Sequence, residues 1–286
     1  MRLYRTIRGI ARGEGDELAL LDLPYPDLGS LLAADVTLAR TAQVIGRAPL
    51  GSIELLPPVG RPNTVVLVGA NYRDHVVEAG ISMPASPAFF PVPAGVDLLT
   101  GSGSPIVLPV EAPDQVDYEA ELAVIIGAGG KDIRARDAWS HVGGLTVAND
   151  VSARDIQFQG MHDGGVVDLA PIQRSKTFPT FKPLGPAMVT PDEFSPPLDL
   201  AVTTRVNGEL RQNGRTGEML FSLPELIEAV SARIPLAPGD LILTGTPAGV
   251  GLASGAYLRP GDTVDVAVEG IGHLCNVVTS AAGGRQ

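Results

Sequence analysis

The sequence predicts a strand-rich globular fold, and three features point to it. Glycine occurs 34 times and proline 25 times in 286 residues, a content of turn-forming residues that suits many strands joined by tight turns. Residues 118–126 form an apolar, β-branched run stopped by Gly127, which reads as a buried strand. Asn207-Gly208, between apolar segments at 198–206 and from 209 onward, is the strongest short-range hairpin signal in the chain.

A chain of this length supplies one substantial core, or a large domain with a small one attached. A mean hydropathy of +0.19 and 44% hydrophobic residues describe an ordinary well-packed soluble protein. The net charge of −11, with no basic patch, argues against nucleic acid as a partner. It does not forbid an anionic small molecule, because a bound cation and a local lysine can reverse the potential of one cleft. Cys275 is the single cysteine, so an intrachain disulfide and a cysteine metal cluster are excluded; its apolar neighbours make it a core filler rather than a nucleophile. The start Met-Arg-Leu-Tyr-Arg has no apolar stretch of the secretory kind, and no long charge-free apolar run exists, so a cytoplasmic protein without membrane contact is expected.

Residues 1–60 read as a small N-terminal domain. Segments 3–10 and 18–21 are short and apolar, joined by the hairpin-like Arg12-Gly-Glu-Gly-Asp16. A short helix is expected over 31–45, and Leu56-Pro-Pro-Val-Gly60 marks the boundary. The main body, 61–280, opens with the buried strand Thr64-Val-Val-Leu-Val-Gly69 and runs into Asn71-Tyr-Arg-Asp-His-Val-Val-Glu-Ala-Gly80. On a helix, His75 and Glu78 share a face, and a carboxylate that holds one ring nitrogen leaves the other for general-base work. The alternative is an ion pair on a surface turn. Pro84, Pro87, Pro91 and Pro93 then predict an extended loop over the site.

In the strand at 118–126, Glu119 and Glu121 interrupt the apolar pattern two residues apart. Strand side chains alternate, so both carboxylates leave one face while Ala120 and Leu122 leave the other. Two such acids repel and lose hydration unless something positive lies between them. A divalent cation is the simplest compensation, and oxygen-only ligands favour Mg²⁺, Mn²⁺ or Ca²⁺ over zinc. An edge strand with one wet face is the alternative. A helix is expected over 134–140, and strand 144–148 delivers Asn149-Asp150, where a third carboxylate enters a site or caps the next turn. Residues 158–175 read as a loop in which His162 is solvent-exposed. Lys176 either offsets local negative charge or sits on the surface.

Ser222-Leu-Pro-Glu225 forms a capping box for a helix ending near Ser231. Pro238-Gly-Asp240 turns into strand 241–244, followed by Gly245-Thr246-Pro247-Ala-Gly-Val-Gly251, whose three glycines free backbone amides for a carboxylate. Neither a dinucleotide nor a P-loop fingerprint is present. A last strand pair covers 263–268 and 274–278, and 281–286 reads as a disordered tail.

Taken together, the chain resembles the fumarylacetoacetate hydrolase family, in its acylpyruvase and 2-hydroxyhepta-2,4-diene-1,7-dioate isomerase branch, over roughly residues 60–280. The resemblance rests on the run from Asn71 to Gly80, Asp117-Tyr-Glu-Ala-Glu-Leu-Ala123, Asn149-Asp-Val-Ser-Ala-Arg-Asp155, Lys176-Thr-Phe178, Val206-Asn-Gly-Glu209 and Thr244-Gly-Thr-Pro-Ala-Gly-Val-Gly251, in that order. It implies a mixed, mostly β fold whose twisted sheets roll into a barrel-like core, and a homodimer. It matches Glu119, Glu121 and Asp150 to the metal-binding acids, usually holding Mg²⁺ or Mn²⁺, with Ca²⁺ as an alternative occupant in a crystal. His75 matches the catalytic histidine, Glu78 its carboxylate partner and Lys176 the active-site lysine. Gln157 and Thr246 match substrate contacts, and Arg154 and Tyr72 are placed with them. The implied activity is metal-dependent hydrolysis of a C–C bond in an acylpyruvate-like 2,4-dioxo acid, giving pyruvate and a carboxylic acid, in breakdown of aromatic compounds or sugar acids. The same site suits a 2-oxo-diacid isomerase, an oxaloacetate-type decarboxylase or a hydratase, and an idle metal-binding scaffold is the non-catalytic alternative. Two departures fall where substrate recognition is expected. Phe89-Phe90 is followed by Pro91 where many relatives have lysine, and Pro171-Ile172-Gln173 stands where many have tryptophan.

Overall fold

A computed structural model describes residues 1–93, 97–162 and 165–281. The expected tail beyond Ala281 lies outside these residues. The predicted buried strand is Ala120–Ile126, with all of its residues buried. It lies inside a 12-stranded sheet, between Val142–Asn149 and Leu241–Leu243, and is not a wet edge. Gly127 ends it for a steric reason: a Cβ there would come within 2.5 Å of the Gly143 Cα, so the two chains approach backbone to backbone.

From one edge, ten of the twelve strands run Val44–Pro49, Glu17–Leu21, Gly9–Glu14, Arg2–Thr6, Lys182–Val189, Val142–Asn149, Ala120–Ile126, Leu241–Leu243, Val65–Gly69 and Ala88–Val92, while Leu55–Leu56 pairs with Arg2–Thr6 and Leu99–Thr100 with Lys182–Val189 off this path. Among the described residues no pairing joins the two edges, so the fold is mixed and mostly β but not a closed barrel. The N-terminal strands continue this sheet through the pairs Arg2↔Val189 and Leu3↔Met188. Alternation then sends Leu3 and Ile10 into the main core, while Tyr4, Ala11, Leu18 and Leu20 build a second small core on the other face. A five-stranded sheet, in the order Glu209–Arg215, Ala201–Val206, Thr263–Val268, Gly272–Ser280 and Ile106–Leu108, packs against the centre of the large one. Its Asn207-Gly208 hairpin has positive φ at both turn residues, 53° and 82°, as a two-residue turn of type I′ requires.

Several expected elements differ. The helix over 31–45 is two helices, Leu28–Ala34 and Leu38–Thr41. The Asp35 carboxylate accepts from the Thr37 amide and hydroxyl and breaks the run, and Val44 joins a strand opposite Leu21. Segment 3–10 turns at residues 7–8, so 2–21 makes two hairpins rather than one. The proline-rich loop contains the strand Ala88–Val92, which tolerates Pro91 because it is an edge strand. Residues 158–175 hold the helix Leu169–Ser175, started by the Asp168 carboxylate on the Ala170 amide, with Pro171 harmless in its first turn. The helix Leu223–Ser231 begins with the predicted Ser222–Glu225 capping box. Among the described residues, no helix is long and apolar enough to cross a membrane.

Candidate metal and active site

The antiparallel ladder brings three carboxylates together. Glu119 and Glu121 share a face by the two-residue period of the strand. Pairing of Ala120 with Asn149 sets Asp150 beside Glu119, where the Asp150 amide donates to the Glu119 carbonyl at 2.9 Å. Asn149 is therefore no turn cap: its side-chain oxygen accepts from the Glu119 amide at 3.0 Å and fixes the strand end. One carboxylate oxygen from each of Glu119, Glu121 and Asp150 lies within 4.8 Å of the others, and all three residues are buried.

Three cations surround these acids. Lys176, at the C-terminal end of its helix, donates to Glu119 Oε2 and to Asp150 Oδ2, both at 2.7 Å. Arg154 Nη2 lies 2.7 Å from Glu119 Oε1 and 2.8 Å from Asp117 Oδ2, and its Nη1 donates to Gln157 Oε1 at 2.8 Å. Lys182 Nζ lies 2.7 Å from Asp150 Oδ1, a charge contact without hydrogen-bond alignment, and donates to the carbonyls of Lys176, Val151 and Phe181. Asp117 is in turn held by the amides of Gly251 and Leu252 at 2.7 and 2.9 Å.

The titration of the acids follows from these neighbours. Burial pushes the Glu119 carboxyl up, but Lys176 and Arg154 outweigh it and hold the group well below its ordinary value. Glu121 has the opposite fate: burial, Asp150 and Glu119 all push it well above the ordinary value, against weaker help from Lys176 and the Gly245 amide. Burial lowers the Lys176 ammonium, yet Asp150 and Glu119 more than restore it, so it stays charged. A buried carboxylate trio in which one member is driven to keep its proton fits a divalent cation: the donors are hard oxygens, and a 2+ charge removes the repulsion. Glu119, Glu121 and Asp150 would hold it.

His75 and Glu78 lie on the short helix Arg73–Glu78, His75 Nδ1 3.6 Å from Glu78 Oε2, an ion-pair distance beyond hydrogen-bond range. Burial raises the Glu78 carboxyl, but His75 and the amides of Gly249 and Val250 hold it below its ordinary value. The expectation that the glycine-rich turn offers its amides to a carboxylate takes an unforeseen form. Gly245, Gly249 and Gly251 donate to Glu121, Glu78 and Asp117, carboxylates of the protein itself. Gly245 has φ +94°, and a Cβ there would sit 2.9 Å from the Asn71 Cβ, so glycine is required for its amide to reach Glu121.

A cavity of about 420 Å³ gathers His75, Glu119, Glu121, Asp150, Arg154, Gln157, Lys176 and Thr246. Phe89, Phe90 and Ile172, at the two departures in sequence, line its apolar walls with Phe158, Met161 and Leu169. Glu78 is reached through His75. Tyr72 is not among the lining residues. It is fully buried as the residue before the helix, its hydroxyl has no hydrogen-bond partner among the described residues, and burial together with Glu121 raises its phenol above the ordinary value. His162 is exposed and off the cavity.

Two contributors escaped the sequence reading. Lys182 opens an otherwise apolar strand, a signal of the same kind as the two glutamates. Gln212 is wholly buried: its Oε1 accepts from the Ala120 amide and the Thr204 hydroxyl, and its Nε2 donates to the Thr246 hydroxyl and the Pro247 carbonyl. It clamps the Thr246 turn onto the acid-bearing strand.

Comparison with known proteins gives the family. The family described as fumarylacetoacetate (FAA) hydrolase C-terminal matches residues 64–279. The chain belongs to that family. It is 46% identical over 232 residues to a Bos taurus protein named oxaloacetate tautomerase FAHD2B, mitochondrial, covering 80% of this chain and 71% of the relative. A structure titled 2-hydroxyhepta-2,4-diene-1,7-dioate isomerase from Mycobacterium marinum superposes with a TM-score of 0.75 at 35% identity, over 99% of both chains. That of maleylpyruvate hydrolase from Sphingobium sp. SYK-6, in complex with manganese(II) and pyruvate, gives 0.78 at 28% identity, over 99% of this chain and all of the other.

Proposed function

We propose that this protein is a divalent-metal-dependent enzyme that transfers a proton at C3 of a 2-oxo acid, interconverting keto and enol forms of an oxaloacetate-like substrate. The observation that carries the reading is a histidine in the same cavity as the three acids, with a carboxylate 3.6 Å from its Nδ1. When bound, the divalent cation supplies Lewis-acid polarisation of the 2-oxo group, which acidifies the neighbouring C3–H. Lys176 carries a fixed positive charge beside Glu119 and Asp150 and orients the carboxylate end of the substrate. Glu78, pinned by the Gly249 amide, faces His75 Nδ1 and leaves Nε2 to take the proton from C3 or return it. In the ketonising direction His75 Nε2–H gives its proton to C3, the enol hydroxyl gives its own to solvent water, and the histidine regains a proton from solvent. Names of relatives such as the bovine tautomerase and the mycobacterial isomerase support this reaction class.

A second reading is hydrolysis of an acylpyruvate to pyruvate and a carboxylic acid. The likeness to maleylpyruvate hydrolase favours it, as does the His75–Glu78 pair, which suits activation of water. A homodimer belongs to the same proposal on the family resemblance alone; the cytoplasmic location expected from the sequence gains no support from the relatives, since the bovine one is named mitochondrial.

The test is NMR in D₂O of C3 proton exchange and product formation from oxaloacetate and from small acylpyruvates, with Mg²⁺ or Mn²⁺ and with EDTA. Exchange without cleavage is expected, and His75→Ala lowers it about 10²–10⁴-fold. Pyruvate plus acid as sole products selects the second reading. Exchange that survives both EDTA and His75→Ala overturns both.

A further inference from the structure

Three cationic side chains line the cavity besides His75: Arg154, Lys176 and Arg233. The first two are neutralised by buried acids at 2.7–2.8 Å. Arg233 is different. It follows the helix Leu223–Ser231, makes no ion pair among the described residues, and holds its guanidinium 5.2 Å from the centroid of the Phe89 ring. It therefore lies beyond ion-pair distance of Glu119, Glu121 and Asp150, and its link to the cavity is the aromatic wall. An arginine parked on an aromatic face is pre-oriented while its donors stay available.

The remaining walls sharpen the point. Phe89, Phe90, Phe158, Met161, Leu169 and Ile172 offer an apolar passage with no charged group of their own. The same cavity holds the acid-and-lysine end, these walls and Arg233, so a 2-oxo acid whose carboxylate and keto oxygen occupy that end has room to extend its tail along them. The one charge there without a counterion among the described residues is positive.

We infer that Arg233 is a specificity-determining residue that binds a second, distal carboxylate of the substrate, so that the enzyme prefers 2-oxo dicarboxylic acids over monoacids of the same chain length. The inference rests on the proposed 2-oxo acid site but not on the reaction carried out there. Arg233 touches only the tail of the substrate and takes no part in proton transfer.

Isothermal titration of the Mn²⁺-loaded full chain tests this with two matched pairs: 2-oxoglutarate against 2-oxopentanoate, and 2-oxoadipate against 2-oxohexanoate. A solvent-exposed charge-assisted contact predicts that at least one diacid binds about tenfold more tightly than its monoacid. Arg233→Met, which keeps an apolar chain on Phe89, brings that pair within about twofold with monoacid affinity unaltered, whereas Arg233→Lys keeps part of the preference. Equal binding of diacid and monoacid by the wild type in both pairs, including no binding of either, overturns the inference. A preference that persists in Arg233→Met, or an equal loss for diacid and monoacid, overturns it as well. The two proposals fail separately. Diacid preference without C3 exchange refutes the reaction and leaves Arg233 its role; exchange without preference does the reverse.

Discussion

Replacing Glu121 with glutamine separates what the acid does for binding from what it does to stability. Its carboxylate has Glu119 and Asp150 within 4.8 Å, and at an effective dielectric near 20 each such pair repels by about 3.5 kcal/mol. Lys176 offsets less than one of the two, so at least about 3 kcal/mol stands against ionisation before burial is counted. Glu121 escapes by keeping its proton, so its folded pKa is raised. A raised acid contributes stability that is fully present below its unfolded pKa of about 4.3 and is lost as pH rises through the folded value. The substituted glutamine would retain the Gly245 hydrogen bond through its amide oxygen and carry no charge. In EDTA, Glu121→Gln should therefore match the wild type near pH 4 and melt above it by roughly 6–12 °C near pH 8, about 3 kcal/mol for a domain of this size. With Mn²⁺ at about 1,000 times its Kd the order reverses, because the wild type gains about 4.1 kcal/mol by linkage and the variant gains little. Scanning calorimetry across pH, with and without Mn²⁺, reads both effects. A variant that melts no higher than the wild type in EDTA near pH 8, or that keeps the full Mn²⁺ shift, refutes the placement of Glu121 as a strained metal ligand.

Arg154→Met leaves Asp117 and Glu119 buried without their shared partner, and should destabilise the fold by about 3–5 kcal/mol in urea denaturation. A change below about 1 kcal/mol would mean that the triad is not ionised as described. Gly127→Ala drives a methyl group into the Gly143 backbone and should lower stability by about 1–3 kcal/mol while Mn²⁺ affinity stays intact, since Gly127 lies at the end of the strand far from Glu119.

The parts of the site that a short local pattern dictates were legible in the sequence. Glu119 and Glu121 stand out because an acid on an apolar strand breaks a two-residue period, and Ser222–Glu225 and Asn207-Gly208 act within four residues of themselves. What could not be read is what depends on long-range pairing. Asp150 was legible as a third acid at a strand end, but that it lies beside Glu119 follows only from an antiparallel register, and Gln212 clamps Thr246 from another sheet. The partners of the glycine amides show the same limit: positive φ at Gly245 is readable as conformational freedom, but that its amide ends on Glu121 is a tertiary fact. Pro91 misled for a related reason, since an edge strand tolerates a proline that an inner strand would reject, and edges are set by topology.

The charge of the buried cluster explains why so many ionised groups share one place. Asp117, Glu119, Glu121 and Asp150 bring four negative charges, and Arg154, Lys176 and Lys182 bring three positive ones, so the fully ionised set is −1. With Glu121 holding its proton the set is neutral, which is the state that burial tolerates best. Exchange of that proton for a divalent cation turns the cluster to +1. The same residues thus form a neutral core without metal and an anion receptor with it, inside a protein whose overall charge of −11 would otherwise repel an acid. Lys182 tips this balance only while it keeps its proton, for burial lowers its ammonium against the pull of Asp150; without that charge the loaded cluster would be neutral, and Lys176 alone would face an incoming anion.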